Sequence, residues 1–290
     1  MTTFPTPDPL RARIEIELGD IRVVAAGSDE SVVDVVPTDP SSEKDRRAAE
    51  QTRVTCTGDR LDVAGPKHSA MIGPTRRSGS IQVTVRVPVG SALEARTSLG
   101  VVTADGPFAE VGAKTSAGDV VVQEAGSVDL RSGLGAVTAG RVTGDARCST
   151  SSGTIRIDSV GGNALVKNSN GDTWIGDAGT STRVKSANGT ITVERARGDL
   201  MATTANGDLR IGCVDQGQVM LRTSLGRIEL GIPYGTAAKL GLRTSFGAVR
   251  NGLDATEGPA SGDRTVEVDA QTSAGDIDVV RALVEDGDGS

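Results

Sequence analysis

Aromatic residues make up only 2% of the 290 residues, with one Trp, one Tyr and three Phe. That scarcity removes the stacking platforms on which sugars and nucleobases are commonly held. There is a single histidine, His68, in a polar stretch with no Cys, Asp or Ser pattern beside it; it reads as a surface-loop residue, not a catalytic base. The three cysteines, Cys56, Cys148 and Cys213, are odd in number and far apart. They give no disulfide framework or metal-ligand spacing, and they suit a reducing cytoplasm. No stretch approaches 18 apolar residues, and residues 1–10 contain no apolar signal core, so neither a transmembrane segment nor secretion is predicted. The net charge of −7 argues against general nucleic-acid binding. Phosphate-loop and dinucleotide glycine motifs are missing, and no cofactor is expected.

What the sequence has is a repeat. A basic residue, Thr or Ser, two small residues and a Gly precede a short β-branched run, as in Arg96-Thr97-Ser98-Leu99-Gly100-Val101-Val102 and Lys114-Thr115-Ser116-Ala117-Gly118-Asp119-Val120. The anchoring glycines are Gly100, Gly118, Gly135, Gly153, Gly171, Gly189, Gly207, Gly226, Gly247 and Gly275, mostly 17 to 19 residues apart. A period this short and steady indicates a solenoid of stacked coils. Counting from each Gly as zero, positions −7, −5 and +2 are almost all apolar, and the alternation has period two on both sides. Each coil is therefore a strand, a tight corner at the Gly, a second strand and a looser corner marked by glycines such as Gly106, Gly126 and Gly217. Equivalent strands pair in parallel one turn along, and the crossover rule favours a right-handed coil.

Three columns are candidates for chemistry. Position −3 is Thr, Ser or Asn in all ten coils yet faces inward by parity, and it reads as a ladder satisfying corner amides. Position +1 carries Asp119, Asp172, Asp208 and Asp276, which invite a calcium or carboxylate-pair reading. No two are in adjacent coils, so turn chemistry is the simpler account. Position −4 is basic in seven coils: Arg96, Lys114, Arg131, Lys167, Lys185, Arg222 and Arg243. Parity points this column outward, where it is either a solvated face or a binding face for an anionic partner.

The coils with T-S-x-G corners, notably residues 115–122, 204–211 and 272–279, resemble a large bacterial family of β-solenoid domains known as domain of unknown function 4097 and labelled as candidate adhesins. That resemblance implies a fold and no catalytic residues.

The expectation is an all-β parallel solenoid in three parts: an irregular cap with polar insertions (1–92), regular coils (93–250), and a loop, final coil and acidic tail (251–290). The mixed charges from Glu43 to Glu50 predict a short helix inside the first insertion. The function expected is a non-catalytic scaffold or interaction module for a protein partner or for copies of itself. A surface adhesin, which needs an export route, and a carbohydrate-active β-helix enzyme, which needs a carboxylate cluster in a groove, are the alternatives.

Overall fold

The computed structural model describes residues 1–66, 79–254, 258 and 264–282. His68, the acidic tail from Glu285 and most of the loop at 251–262 lie outside the described residues. The chain is a parallel β-solenoid and divides into two compact units, residues 1–143 with 148–151, and residues 144–147 with 152–290.

In the first unit the regular coils pair in parallel, with Val120 opposite Val102 and Val137 opposite Val120. Position +2 fills the core: Val102, Val120 and Val137 are each fully buried, as are Ala95 and Leu130 from position −5. The first coil in the sequence does not stand at the end of the stack. Its strand Arg11–Glu15 is parallel to both Arg60–Ala64 and Ala92–Leu99. Its second strand, Ile21–Ala26, likewise runs between Ile81–Pro88 and Val102–Ala117. Beyond it the chain turns antiparallel: Arg53–Thr57 pairs with Arg60–Ala64, and Thr2–Pro5 and Ile81–Pro88 flank Glu30–Pro37. The helix Glu43–Gln51 forms on the predicted stretch, capped by the Ser42 hydroxyl and packed against Glu30–Pro37. Antiparallel strands and a helix blunt an edge that would otherwise recruit further strands.

In the second unit the coils of Gly153, Gly171, Gly189, Gly207 and Gly226 stack in sequence order. The next coil in space is the last in sequence. Arg264–Ala274 is parallel to both Gly217–Leu225 and Thr236–Phe246, so the Gly275 coil lies between those of Gly226 and Gly247. The wider spacings of 21 and 28 residues around Gly247 supply the chain needed to step over a coil and return. Among the described residues the Gly247 coil is outermost, and its core column opens: Val249, at position +2, is 44% exposed where Ile277 and Ile228 are fully buried.

All ten predicted corner glycines have φ between 127° and 158°. At Gly118 a side chain would meet the Gly100 carbonyl oxygen at 2.0 Å, so stacking as well as conformation requires glycine. The looser corner has a different reason for its glycines. Gly106 and Gly217 do adopt positive φ, but at Gly126, Gly179 and Gly198 the requirement is the close approach of the coil beneath, within 2.1 to 2.4 Å of a built side chain.

Candidate functional site

The inward Thr column proves structural, with one change from expectation. The side chains donate to corner carbonyls and do not cap corner amides. Thr115 Oγ1 donates to Gly100 O at 3.1 Å, Ser132 Oγ to Gly118 O at 2.8 Å, and Thr150 Oγ1 to Gly135 O at 2.9 Å. In the second unit Asn168, Thr223 and Thr272 repeat the bond. A corner carbonyl points along the stack, outside the strand ladder, and this column satisfies it. The corner amides are taken by the aspartates instead. Asp119 accepts from Ala136 N, Asp172 from Thr190 N, Asp208 from Arg227 N and Asp276 from Ala248 N, at 2.8 to 2.9 Å. The Asp276 carboxyl is held below the ordinary range by the Ala248 amide first and the Arg250 guanidinium second. Each of these carboxylates has a backbone task, and among the described residues no group of three His, Cys, Asp or Glu could hold a metal ion.

Phe108 is buried in the core, and Trp174 is half-buried. Trp174 packs between Arg156, 3.8 Å above its ring, and Glu194, which accepts its indole N–H at 3.0 Å. Tyr234 is 74% exposed, with the Arg281 guanidinium 5.2 Å from its ring centroid.

All seven cations of the −4 column are exposed. In the first unit Arg96, Lys114 and Arg131 stand side by side in register. In the second unit Lys167 adjoins Lys185. Thr203 then interrupts the column, and Gln271 separates Arg222 from Arg243 because the last coil is inserted between theirs. Asp269 lies within 3.8 Å of Arg222 and 4.0 Å of Arg243.

The face around Arg96, Lys114 and Arg131 is concave, a groove of about 720 Å³. It gathers three further cations, Arg11, Arg13 and Arg60, from the inserted first coil and its neighbour. Sequence reasoning missed them because those strands read as an irregular cap. The signal was present: Gly19 is an eleventh corner with φ 120°, and Arg11 and Arg13 sit at its positions −8 and −6. Glycine at 112 and alanine at 92 keep the floor low. Several cations are held by carboxylates on the same strand. Asp62 accepts from Arg60 at 2.7 Å, Asp129 takes both ends of the Arg131 fork at 2.8 Å, and Glu94 pairs with Arg96. Hydrogen bonding to Asp129 pushes the Arg131 guanidinium further above its ordinary value. Such forks fix guanidinium orientation, although exposed pairs add little stability.

The second unit has a groove of about 650 Å³ on the same coil face, lined differently. Met201, Met220 and Leu240 line it together with Arg183, Lys239 and Glu267.

The coil geometry has a counterpart among known families. The sequence profile described as Toastrack DUF4097 matches residues 12–281, nearly the whole chain. The chain belongs to this Toastrack family. Among curated proteins none matches. Solved structures similar to this Toastrack chain include a candidate cell adhesion protein from Clostridium sporogenes, 9% identical over 97% of this chain and 98% of that one, with a TM-score of 0.25. A candidate adhesin from Bacteroides fragilis is 10% identical over 96% and 95%, with a TM-score of 0.34. No described helix of the Toastrack chain is long and apolar enough to cross a membrane.

Proposed function

We propose that the chain is a non-catalytic interaction module whose working surface is the groove of the first unit. The supporting observation is the collection of Arg11, Arg13, Arg60, Arg96, Lys114 and Arg131 in one concavity of a chain whose net charge is −7. Concentrating cations against the overall balance gives a local field that steers anionic groups to one face. The partner is a protein, or a second copy of this chain, offering acidic side chains to that face. The stretch of the predicted column in the second unit plays a lesser part, since Thr203 and Gln271 break it. Three free cysteines, one of them fully buried, support a reducing compartment such as the cytoplasm.

Mass by light scattering after size exclusion separates the two kinds of partner. A mass rising with concentration, and lowered by Lys114→Glu with Arg131→Glu, supports self-association through this face. A strict monomer that binds a partner protein, and loses it with those same changes, supports a heterologous partner. Partner binding or self-association that is indifferent to both changes would remove the groove as the working surface.

A further inference from the structure

Charges in the first-unit groove fall on a grid of strands about 4.8 Å apart. Position −8 runs Arg60, Arg11, Ala92, Glu110; position −6 runs Asp62, Arg13, Glu94, Gly112, Asp129; position −4 runs Glu15, Arg96, Lys114, Arg131. Most of these charges are already paired. Arg60 is held by Asp62, Arg13 lies within 3.9 Å of Glu94, Arg96 is held by Glu94 and Arg131 by Asp129. Among the described residues three groove charges have no ion pair: Arg11, Glu110 and Lys114.

We propose that this unsatisfied triad is a recognition pattern for an extended polypeptide segment carrying two acidic residues with a basic residue between them. Arg11 and Lys114 are two strands and four residues apart, roughly 16 Å between Cα atoms, a span of about five residues of extended chain. Glu110 flanks that path, about 10 Å from Arg11 at the same coil position. An acid at each end meets a free cation, and a base in the middle reaches sideways to the free carboxylate. The mixed signs decide the class of partner. A uniform polyanion would meet Glu94, Glu110 and Asp129 with like charge, which disfavours it. A flat anionic membrane would meet the same carboxylates, and a single-stranded nucleic acid would find no aromatic side chain to stack on. The floor amides and carbonyls are engaged in the strand ladder, so recognition falls to side chains. A polypeptide carries both signs at set intervals.

This inference rests on the groove being the working surface, and one experiment separates the two. The full chain is used to select from a random-peptide display library, and the selected peptides are measured by fluorescence anisotropy beside poly-glutamate and heparin. The expected winners carry acid, base and acid over about five residues. Lys114→Glu should weaken them roughly tenfold, and Glu110→Lys should weaken them too while strengthening poly-glutamate. Winners that are uniformly acidic, and that gain from Glu110→Lys, would overturn the pattern but keep the groove. A library that enriches nothing beyond an Arg11→Glu/Arg96→Glu/Lys114→Glu control would remove both.

Discussion

At position −6 the first unit carries Asp62, Arg13, Glu94, Gly112 and Asp129 across neighbouring strands. The second carries Leu165, Arg183, Met201, Met220, Asp269 and Gly241. Inside, the units are alike: Val, Ile, Leu and Ala at −5 and +2 apart from Cys148 and Thr173, corner glycines at positive φ, and a hydroxyl or amide reaching the corner carbonyl. Packing and ladder hydrogen bonds constrain the inward positions, and the outward positions are free to differ. One coil geometry thus carries a charged groove in one unit and a groove lined in part by methionines in the other. The two units differ on their outward columns.

The sharpest break in that comparison comes from the shared interior. Gly118→Val in the first unit and Gly189→Val in the second place a side chain about 2 Å from a backbone carbonyl at positive φ. Each should cost more than about 4 kcal/mol and abolish the cooperative melt followed by circular dichroism. Gly235→Ala, at φ 76° with nothing within 4 Å, should cost only about 1–2 kcal/mol. Equal losses at Gly235 and Gly118 would mean that conformation alone, and not stacking, demands the glycine.

Core truncation comes next. Leu130→Ala, fully buried, should lose about 2–5 kcal/mol in urea unfolding. Val249→Ala, in the open outer coil, should lose less than about 1 kcal/mol. Comparable losses would show that the outer coil is covered in solution.

The polar interior offers a finer contrast of opposite sign. Thr173 stands at a +2 core position, 1% exposed, and its hydroxyl has no partner among the described residues. Thr173→Val should stabilise by about 1 kcal/mol, whereas Thr115→Val, which loses a bond to Gly100 O, should destabilise by a similar amount. A destabilised Thr173→Val would point to a buried water bonded to that hydroxyl.

The smallest effect concerns Cys148, whose thiol is pushed up to about 12 by burial and by the nearby Asp129 charge. A maleimide at pH 8 should label Cys56 and Cys213 in the folded chain and reach Cys148 only after unfolding, read by mass spectrometry. The folded value lies above the unfolded one, so this group favours the fold below about pH 9 and loses that contribution as pH rises toward 12. Labelling of Cys148 at the rate of Cys56 would mean that its coil opens.

Much of this architecture was legible in the sequence. The corner glycines gave the coil, and period-two alternation correctly divided inward Leu130 from outward Arg131. What failed was the order of coils. A repeat reports which residues occupy equivalent places along a chain, but not which coil stacks on which. Residues 264–282 satisfy the motif equally well inside or outside the Gly247 coil, so only the three-dimensional pairing reveals that they lie inside. The groove was half legible for the same reason. Lys114 and its neighbours follow the period, whereas Arg11 and Arg60 reach the face only through the inserted first coil.

The inserted last coil also bears on synthesis. As the chain emerges, residues 236–246 appear before 264–274, while the free edge of Gly217–Leu225 is waiting for a parallel strand. The strand that arrives first is not the one that finally occupies that edge. The native order requires the earlier strand to wait or to be displaced, which makes completion of the second unit a late event in the life of the nascent chain.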